Sequence, residues 1–179
     1  MPIKYNYYSV DSSVMIELNN SFPKDLFSPV WDEVTRLIKD NRWKIFENVA
    51  EEINNDEVKK FLKNNSSAIV PFDSEVNIFM NKLMAELYKK KLTLINDTDL
   101  RNNADPWVIM LALYLERRDI NNLITKTSNK LCCVLTEERP KLNRINIPAV
   151  CAEYGIHCMD LRGLMRHHDW HYSLNVQNP

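Results

Sequence analysis

Short apolar segments alternate along the chain with longer segments in which apolar residues recur every three or four positions. The first pattern predicts β-strands and the second predicts amphipathic helices. The clearest helix carries Val30, Trp31, Val34 and Leu37 on one face and charged residues on the other. The predicted strands, in chain order, are Tyr5–Val10, Trp43–Phe46, Ile69–Phe72, Leu131–Leu135 and Ile156–Leu161. Alternating strands and helices favour one α/β/α layered domain around a mostly parallel sheet.

Local signals place the ends of several helices. Asn48 followed by Glu51 resembles a capping box, which predicts one helix that begins there and buries Val49, Ile53 and Phe61. Asp105 directly before Pro106 predicts a helix start, since Asp is favoured at the cap and Pro at the first helical position. Pro71 argues that the third strand is not a central one. The continuous apolar run 131–135 is typical of a strand buried on both faces.

Composition excludes several function classes. The chain has 179 residues and a net charge of −1, with 45 % hydrophobic residues, which fits one globular domain of about residues 5–168 with a polar tail at 169–179. Only two glycines occur, which excludes a glycine-rich phosphate loop or dinucleotide fingerprint. None of the four cysteines forms a C-x-x-C pair, which argues against a zinc ribbon. Cys132 and Cys133 lie in an apolar run as small core residues, and we expect a reducing, cytoplasmic location. No apolar run is long enough for a bilayer, so no membrane partner is expected.

Asp11 follows the first predicted strand directly. Open α/β sheets bind ligands at the carboxyl ends of their strands, so Asp11 is a candidate site residue. The alternative is that Asp11 or Ser12 only caps the next helix, since both residue types are favoured there.

Three further acids can reach the same edge of the sheet. Glu138 follows the fourth predicted strand, Asp105 begins a helix, and Glu52 lies near the start of another, on the apolar edge beside Ile53. Four gathered carboxylates would repel each other unless some were protonated or a hard cation were bound. Oxygen ligands with open positions suit Mg²⁺ or Mn²⁺, and such an ion can activate water against a phosphodiester.

Four segments resemble motifs of the PIN-domain nucleases, in the family's order. Tyr8–Ile16 (YSVDSSVMI) is similar to its opening Asp-x-Ser/Asn motif, and Val49–Ile53 (VAEEI) to its helix with a Glu before an aliphatic residue. Ala104–Ile109 (ADPWVI) resembles its Asp-initiated helix, and Val134–Glu138 (VLTEE) its "Val-Val-Thr-x-Asp" strand end. Residues 138–158 resemble one PIN-like branch of unassigned function that is similar to the toxins of bacterial toxin–antitoxin pairs. The resemblance covers about residues 8–168.

The resemblance implies a three-layer PIN-like domain and a metal-dependent endoribonuclease that leaves a 3′-hydroxyl and a 5′-phosphate. Asp11, Asp105, Glu138 and Glu52 would form the Mg²⁺ or Mn²⁺ site, and Ser13 would steady Asp11 or a metal-bound water. The implied partners are an RNA substrate and a cognate antitoxin, with a homodimer as a further expectation.

Other interpretations stay open. Residues 118–130 are longer than the family's usual connection, and Thr127 is the alternative alignment for the fourth acid. The chain could also be a PIN-like module that binds RNA or protein without catalysis. A phosphohydrolase with Asp11 as nucleophile is disfavoured, because Ser13 stands where that class needs a second Asp. The sequence also offers two lesser candidate groups: phosphate-binding Arg139, Lys141 and Arg144, and zinc-binding His167, His168 and His171.

Overall fold

The protein is built on a parallel β-sheet, seen in a computed structural model that describes residues 3–91, 105–116, 131–140 and 145–170. Within these residues five strands pair in the order β3-β2-β1-β4-β5, and every pairing is parallel. The predicted α/β architecture is confirmed. The strands are β1 (Tyr7–Val10), β2 (Trp43–Phe46), β3 (Ile69–Val70), β4 (Cys132–Leu135) and β5 (His157–Met159).

Eight helices accompany the sheet in the described residues, and they cover both of its faces. Helices α3, α5 and α7 contact α6, which lies across β1, β2 and β4, whereas α1 contacts α4 and α8, and α2 packs on β2. Three layers result. The helices are α1 (Ser12–Ser21), α2 (Ser28–Lys39), α3 (Glu47–Glu51), α4 (Asp56–Asn64), α5 (Ser74–Lys89), α6 (Asp105–Leu115), α7 (Ile147–Glu153) and α8 (Leu161–His167).

Strand order places a topological switch point beside β1. The chain adds β2 and then β3 on one side of β1, and later returns to add β4 on the other side. Val10, the last residue of β1, pairs with Leu135, the last residue of β4. The two strands therefore end level with each other, and a crevice between diverging connections opens at their carboxyl ends.

The predicted single helix after β2 is wrong. Glu47 is already helical, so Asn48 is not the cap, and α3 ends at Glu51. Asn55 then starts a separate helix, because its side chain accepts a hydrogen bond from the backbone N–H of Val58 at 3.0 Å. Glu52 consequently lies at the C-cap of α3 and is exposed, while its neighbour Ile53 is buried.

Helix α6 is held to the sheet at both ends. Near its start, the Ser9 hydroxyl of β1 donates to the Val108 carbonyl at 2.8 Å. Just past its end, the Glu116 carboxylate accepts a hydrogen bond from the backbone N–H of Cys132 at 2.9 Å. Since Ser9 is near the carboxyl end of β1 and Cys132 begins β4, α6 runs antiparallel to the strands. Its first residue, Asp105, therefore lies at the carboxyl edge of the sheet.

Aromatic and histidine side chains pack at the opposite, amino-terminal edge. The Tyr8 hydroxyl and His168 Nε2 are 2.7 Å apart, and the Tyr5 hydroxyl and His157 Nδ1 are 2.8 Å apart. Burial, followed by the Arg42 charge, lowers the pKa of His168 to about 4. His167 packs on the Tyr5 ring. The two described histidines of the proposed zinc group thus contact tyrosines, and His171 lies outside the described residues.

The lowered pKa of His168 makes the free energy of unfolding depend on pH. The unfolded-state pKa of His is about 6.5, above the folded value, so the unfolded chain binds more protons between these two pH values. The free energy of unfolding should therefore fall as the pH drops from 6.5 towards 4. In His168→Gln this fall should be smaller, and at pH 7.5 the variant should lose about 1 kcal/mol with the Tyr8 hydrogen bond. Urea unfolding across this pH range measures both effects.

Tyr8→Phe is the matched variant, since it removes the same hydrogen bond but keeps the half-buried imidazole. It should retain the pH dependence of the unaltered protein. Equal pH dependence in His168→Gln and the unaltered protein would contradict this account.

No helix among the described residues has the length and apolar character needed to cross a membrane.

Candidate functional site

Asp11 lies at the switch point, and its side chain does not cap the following helix. It occupies the N-cap position of α1 but makes no side-chain capping hydrogen bond. Its Oδ2 instead accepts hydrogen bonds from the hydroxyls of Ser13 and, at 2.8 Å, Thr136. Asp11 is only 5 % exposed. The interpretation that it serves only as a cap is therefore wrong.

The same two hydroxyls fix the start of the loop after β4. Ser13 Oγ accepts a hydrogen bond from the Glu137 N–H, and Thr136 Oγ1 accepts one from the Glu138 N–H, each at 3.1 Å. Each hydroxyl thus donates to Asp11 and accepts from the neighbouring strand's connection. The backbone adds a further link, because the Asp11 N–H donates to the Leu135 carbonyl at 2.9 Å. Asp11 and Glu138 are therefore joined through one hydrogen-bond network.

The two acids after β4 also hold the helices that follow. Glu138 Oε2 accepts a hydrogen bond from the Ile147 N–H at the start of α7, and Glu137 Oε1 accepts one from the Leu161 N–H at the start of α8, both at 2.9 Å. Burial raises the pKa of Glu137, the Leu161 hydrogen bond lowers it less, and the Asp160 charge adds to the rise. A cavity of about 250 Å³ opens beside them, lined by Thr136, Glu137, Glu138, Arg139, Pro140, Pro148, Cys158, Met159 and Asp160.

Asp105 reaches the same edge from α6. Val108, one turn further along this helix, accepts the Ser9 hydrogen bond two residues before Asp11. Trp107 stacks on Phe46, the last residue of β2, with ring centroids 4.8 Å apart. The start of α6 is thus fixed beside the ends of β1 and β2. Asp105 is half-buried there. The predicted helix start is found one residue earlier than expected, since Asp105 is itself the first residue of α6 and Pro106 the second.

Glu52, the fourth candidate acid, lies at the protein surface. It follows a helix that begins at the carboxyl end of β2 and contacts α6, so it belongs to the same side of the sheet. Its exposed position differs from the inward orientation expected beside Ile53. The single helix on whose apolar edge Glu52 was expected does not form, because α3 already ends at Glu51.

The carboxylate oxygens of the candidate site are ligands of the kind that a hard divalent cation prefers. Among residues 3–91, 105–116, 131–140 and 145–170, no three His, Cys, Asp or Glu side chains are grouped closely enough to share one ion. Mg²⁺ demands fewer protein ligands than that, because it keeps several waters and is usually bound through one or two carboxylates together with substrate phosphates. Asp11 Oδ1 accepts a long hydrogen bond from the Ser12 hydroxyl at 3.4 Å, and Glu138 Oε1 is not used in the bond to Ile147. The residues present therefore fit Mg²⁺ or Mn²⁺.

Sequence reasoning missed two polar residues at the ends of β4. Thr136 is 1 % exposed and connects Asp11 to Glu138. The feature of the sequence that could have indicated this role is a hydroxyl directly after a buried apolar run. Glu116, a charged residue directly after α6, is buried against the start of β4. Residues 118–130, with Thr127, lie outside the described residues, as do Lys141 and Arg144. Arg139 is exposed beside the cavity.

Fold and site together define an α/β protein with an acidic, hydroxyl-supported site at the switch point of a parallel sheet. A model of the family described as "Domain of unknown function (DUF4411)" matches residues 8–172, and the chain belongs to this family. A search of curated proteins found no match.

Proposed function

We propose that the protein is a metal-dependent endoribonuclease of the PIN-like type and the toxin of a toxin–antitoxin pair. One observation carries the proposal: a buried Asp at the sheet's switch point that is held by two hydroxyls and left out of helix capping. A buried carboxylate is costly unless it is well partnered, and such arrangements are concentrated at functional sites. The ordered motif resemblance adds support, and it alone suggests the toxin role.

In this mechanism Asp11 and Glu138 would hold Mg²⁺ or Mn²⁺, and Asp105 and Glu52 would add negative charge from the same side of the sheet. When bound, the ion supplies Lewis-acid polarisation of a phosphodiester and an activated water. Ser13 and Thr136 keep Asp11 in one orientation, and Thr136 also fixes the backbone of Glu138. Hydrolysis adds water across the phosphodiester and leaves a 3′-hydroxyl and a 5′-phosphate.

We also propose a cytoplasmic location, a cognate antitoxin partner and a homodimer. The location is consistent with the free thiols of Cys132, Cys133, Cys151 and Cys158.

Cleavage of RNA with and without metal tests this proposal. Purified protein should cut total RNA or tRNA with Mn²⁺ or Mg²⁺ and lose this activity in chelator. Glu138→Gln should abolish the metal-dependent cutting, since Gln keeps an oxygen that can accept the Ile147 hydrogen bond but loses the charge. Glu33→Gln is the matched control, because Glu33 pairs with Arg36 on the surface of α2.

A PIN-like module that binds RNA or protein without catalysis is the second candidate. The lack of a three-ligand group among the described residues favours it. This module would bind no Mn²⁺ in calorimetry and would cut no RNA under any condition, and that pair of results would reject the nuclease proposal. Equal cutting by the unaltered protein and Glu138→Gln would show a contaminant or a different site.

A further inference from the structure

Phe72 is a large apolar side chain exposed near the candidate site. It follows β3 and is 47 % exposed, yet its position is fixed. Its ring packs edge-on against Trp107 at 5.8 Å and against Phe46 at 6.4 Å between centroids. Its backbone N–H donates to Glu47 Oε2 at 3.0 Å. One side of the Phe72 ring is therefore packed against other aromatic rings, while the rest of the ring is open to solvent and available for binding.

The ring lies on the same edge of the sheet as Asp11. Phe72 comes two residues after β3, and β3 is separated from β1 by β2 alone, which corresponds to about 10 Å across two strand spacings. Trp107, which supports the ring, belongs to the first turn of α6 together with Asp105. A polymer lying across the acids therefore reaches Phe72 within a few of its units.

A groove of about 530 Å³ continues the path beyond Phe72. Glu47, which binds the Phe72 backbone, is one of its lining residues. Lys59 and Lys63 lie one turn apart on α4 and supply two exposed positive charges to one wall. The lining residues are Glu47, Ala50, Glu51, Lys59, Leu62, Lys63 and Ile69.

The arrangement matches how proteins bind single-stranded nucleic acid. Such proteins combine aromatic surfaces, on which bases stack, with lysines or arginines along the phosphate backbone. Stacking tolerates any base, since every base has a π-face, and it requires an unpaired strand. The apolar groove floor suits base faces, while the Lys59 and Lys63 wall suits phosphates. The carboxylates of Glu47 and Glu51 can accept hydrogen bonds from base amino groups.

We propose that Phe72 is a stacking platform for an unpaired base of single-stranded RNA, with Lys59 and Lys63 beside the phosphates that follow. This inference rests on the proposed nuclease function for the identity of the nucleic acid. It makes unpaired RNA the substrate class and assigns the β3 side of the sheet to one arm of the bound strand.

Binding without cleavage tests the platform. Asp11→Asn protein in chelator is titrated against a fluorescent single-stranded RNA of about 12 nucleotides, within the usual site size. Adding Phe72→Ala should raise the Kd about tenfold, whereas adding Phe72→Trp should retain tight binding because the indole also stacks. Tyr88→Ala is the matched aromatic control: Tyr88 is 78 % exposed near the end of α5, where Lys90 pairs with Glu153 at the far end of α7. Its Kd should be unchanged.

Salt dependence tests the lysines separately. Lys59→Ala and Lys63→Ala should each reduce the slope of log K against log salt by about 0.7, the value for one phosphate contact on a single strand. Lys60→Ala is the matched control, because Lys60 is exposed on α4 but lines a different depression with Trp31 and Phe61. It should leave the slope unchanged.

Several results would overturn the platform. These are no RNA binding by the Asp11→Asn protein, an unchanged Kd in Phe72→Ala, or equal losses in Phe72→Ala and Tyr88→Ala. A Phe72→Ala variant that binds RNA normally but loses a homodimer or protein complex would assign the surface to a protein partner instead. The two proposals fail differently: Phe72-dependent RNA binding without any metal-dependent cutting rejects only the nuclease, and cutting that is indifferent to Phe72 rejects only the platform.

Discussion

Asp11→Asn should reduce metal-dependent RNA cleavage by at least about 100-fold, since losses of 10- to 100-fold already follow changes to residues that merely support metal ligands. The amide can still accept hydrogen bonds from Ser13 and Thr136 through its oxygen. The fold should therefore persist while the negative charge is lost. Initial rates of RNA cleavage at saturating Mn²⁺, with circular dichroism as the folding check, measure this effect.

Asp32→Asn is the matched control for that experiment. Asp32 is exposed on α2, which packs on β2, and its substitution should leave the cleavage rate unchanged. Asp11→Asn protein that cleaves at the unaltered rate would remove Asp11 from the site.

Thr136→Val should lower the cleavage rate about 10- to 100-fold with little change in the shape of the side chain. The substitution removes the donor to Asp11 Oδ2 and the acceptor for the Glu138 N–H in one step. Thr136→Ser keeps the hydroxyl and should retain most of the activity. The affinity for Mn²⁺, measured by calorimetry, should fall with the cleavage rate in the Val variant, because Thr136 orients Asp11.

The corresponding control changes a hydroxyl that has no link to Asp11. Thr35 donates to the Trp31 carbonyl within α2 at 2.8 Å, so Thr35→Val should cleave normally. If Thr136→Val and Thr136→Ser cleaved equally well, the hydroxyl would have no part in orienting Asp11.

The sheet was predictable from the sequence because its strands are short, mainly apolar segments that alternate with helical patterns. Trp43–Phe46 begins and ends where the pattern placed it, and the run 131–135 contains β4. The convergence of Asp11 and Glu138 followed from the same logic, since both come after strands that parallel topology brings together. That these two acids lie close together could be predicted without knowing any side-chain contact.

The details of the site depended on tertiary contacts that no local pattern records. Thr136 gains its role only because β4 pairs level with β1 and brings its hydroxyl to Asp11. The burial of Glu116 depends on a backbone N–H sixteen residues later. Near Glu52 the structure has a helix cap at Asn55, which the sequence analysis did not predict, and none at Asn48, which it did.

The hydrogen bond between Thr136 and Asp11 spans 125 residues of chain, and this has a consequence for protein synthesis. Asp11 is made well before the hydroxyl that orients it and the acid that would share its metal. If the proposed function holds, a nascent or truncated chain carries half of the site and would not cleave the RNA around it. For a ribonuclease that is made among ribosomes, messages and tRNA, late completion of the site would delay activity until an inhibitor has had time to meet the finished chain.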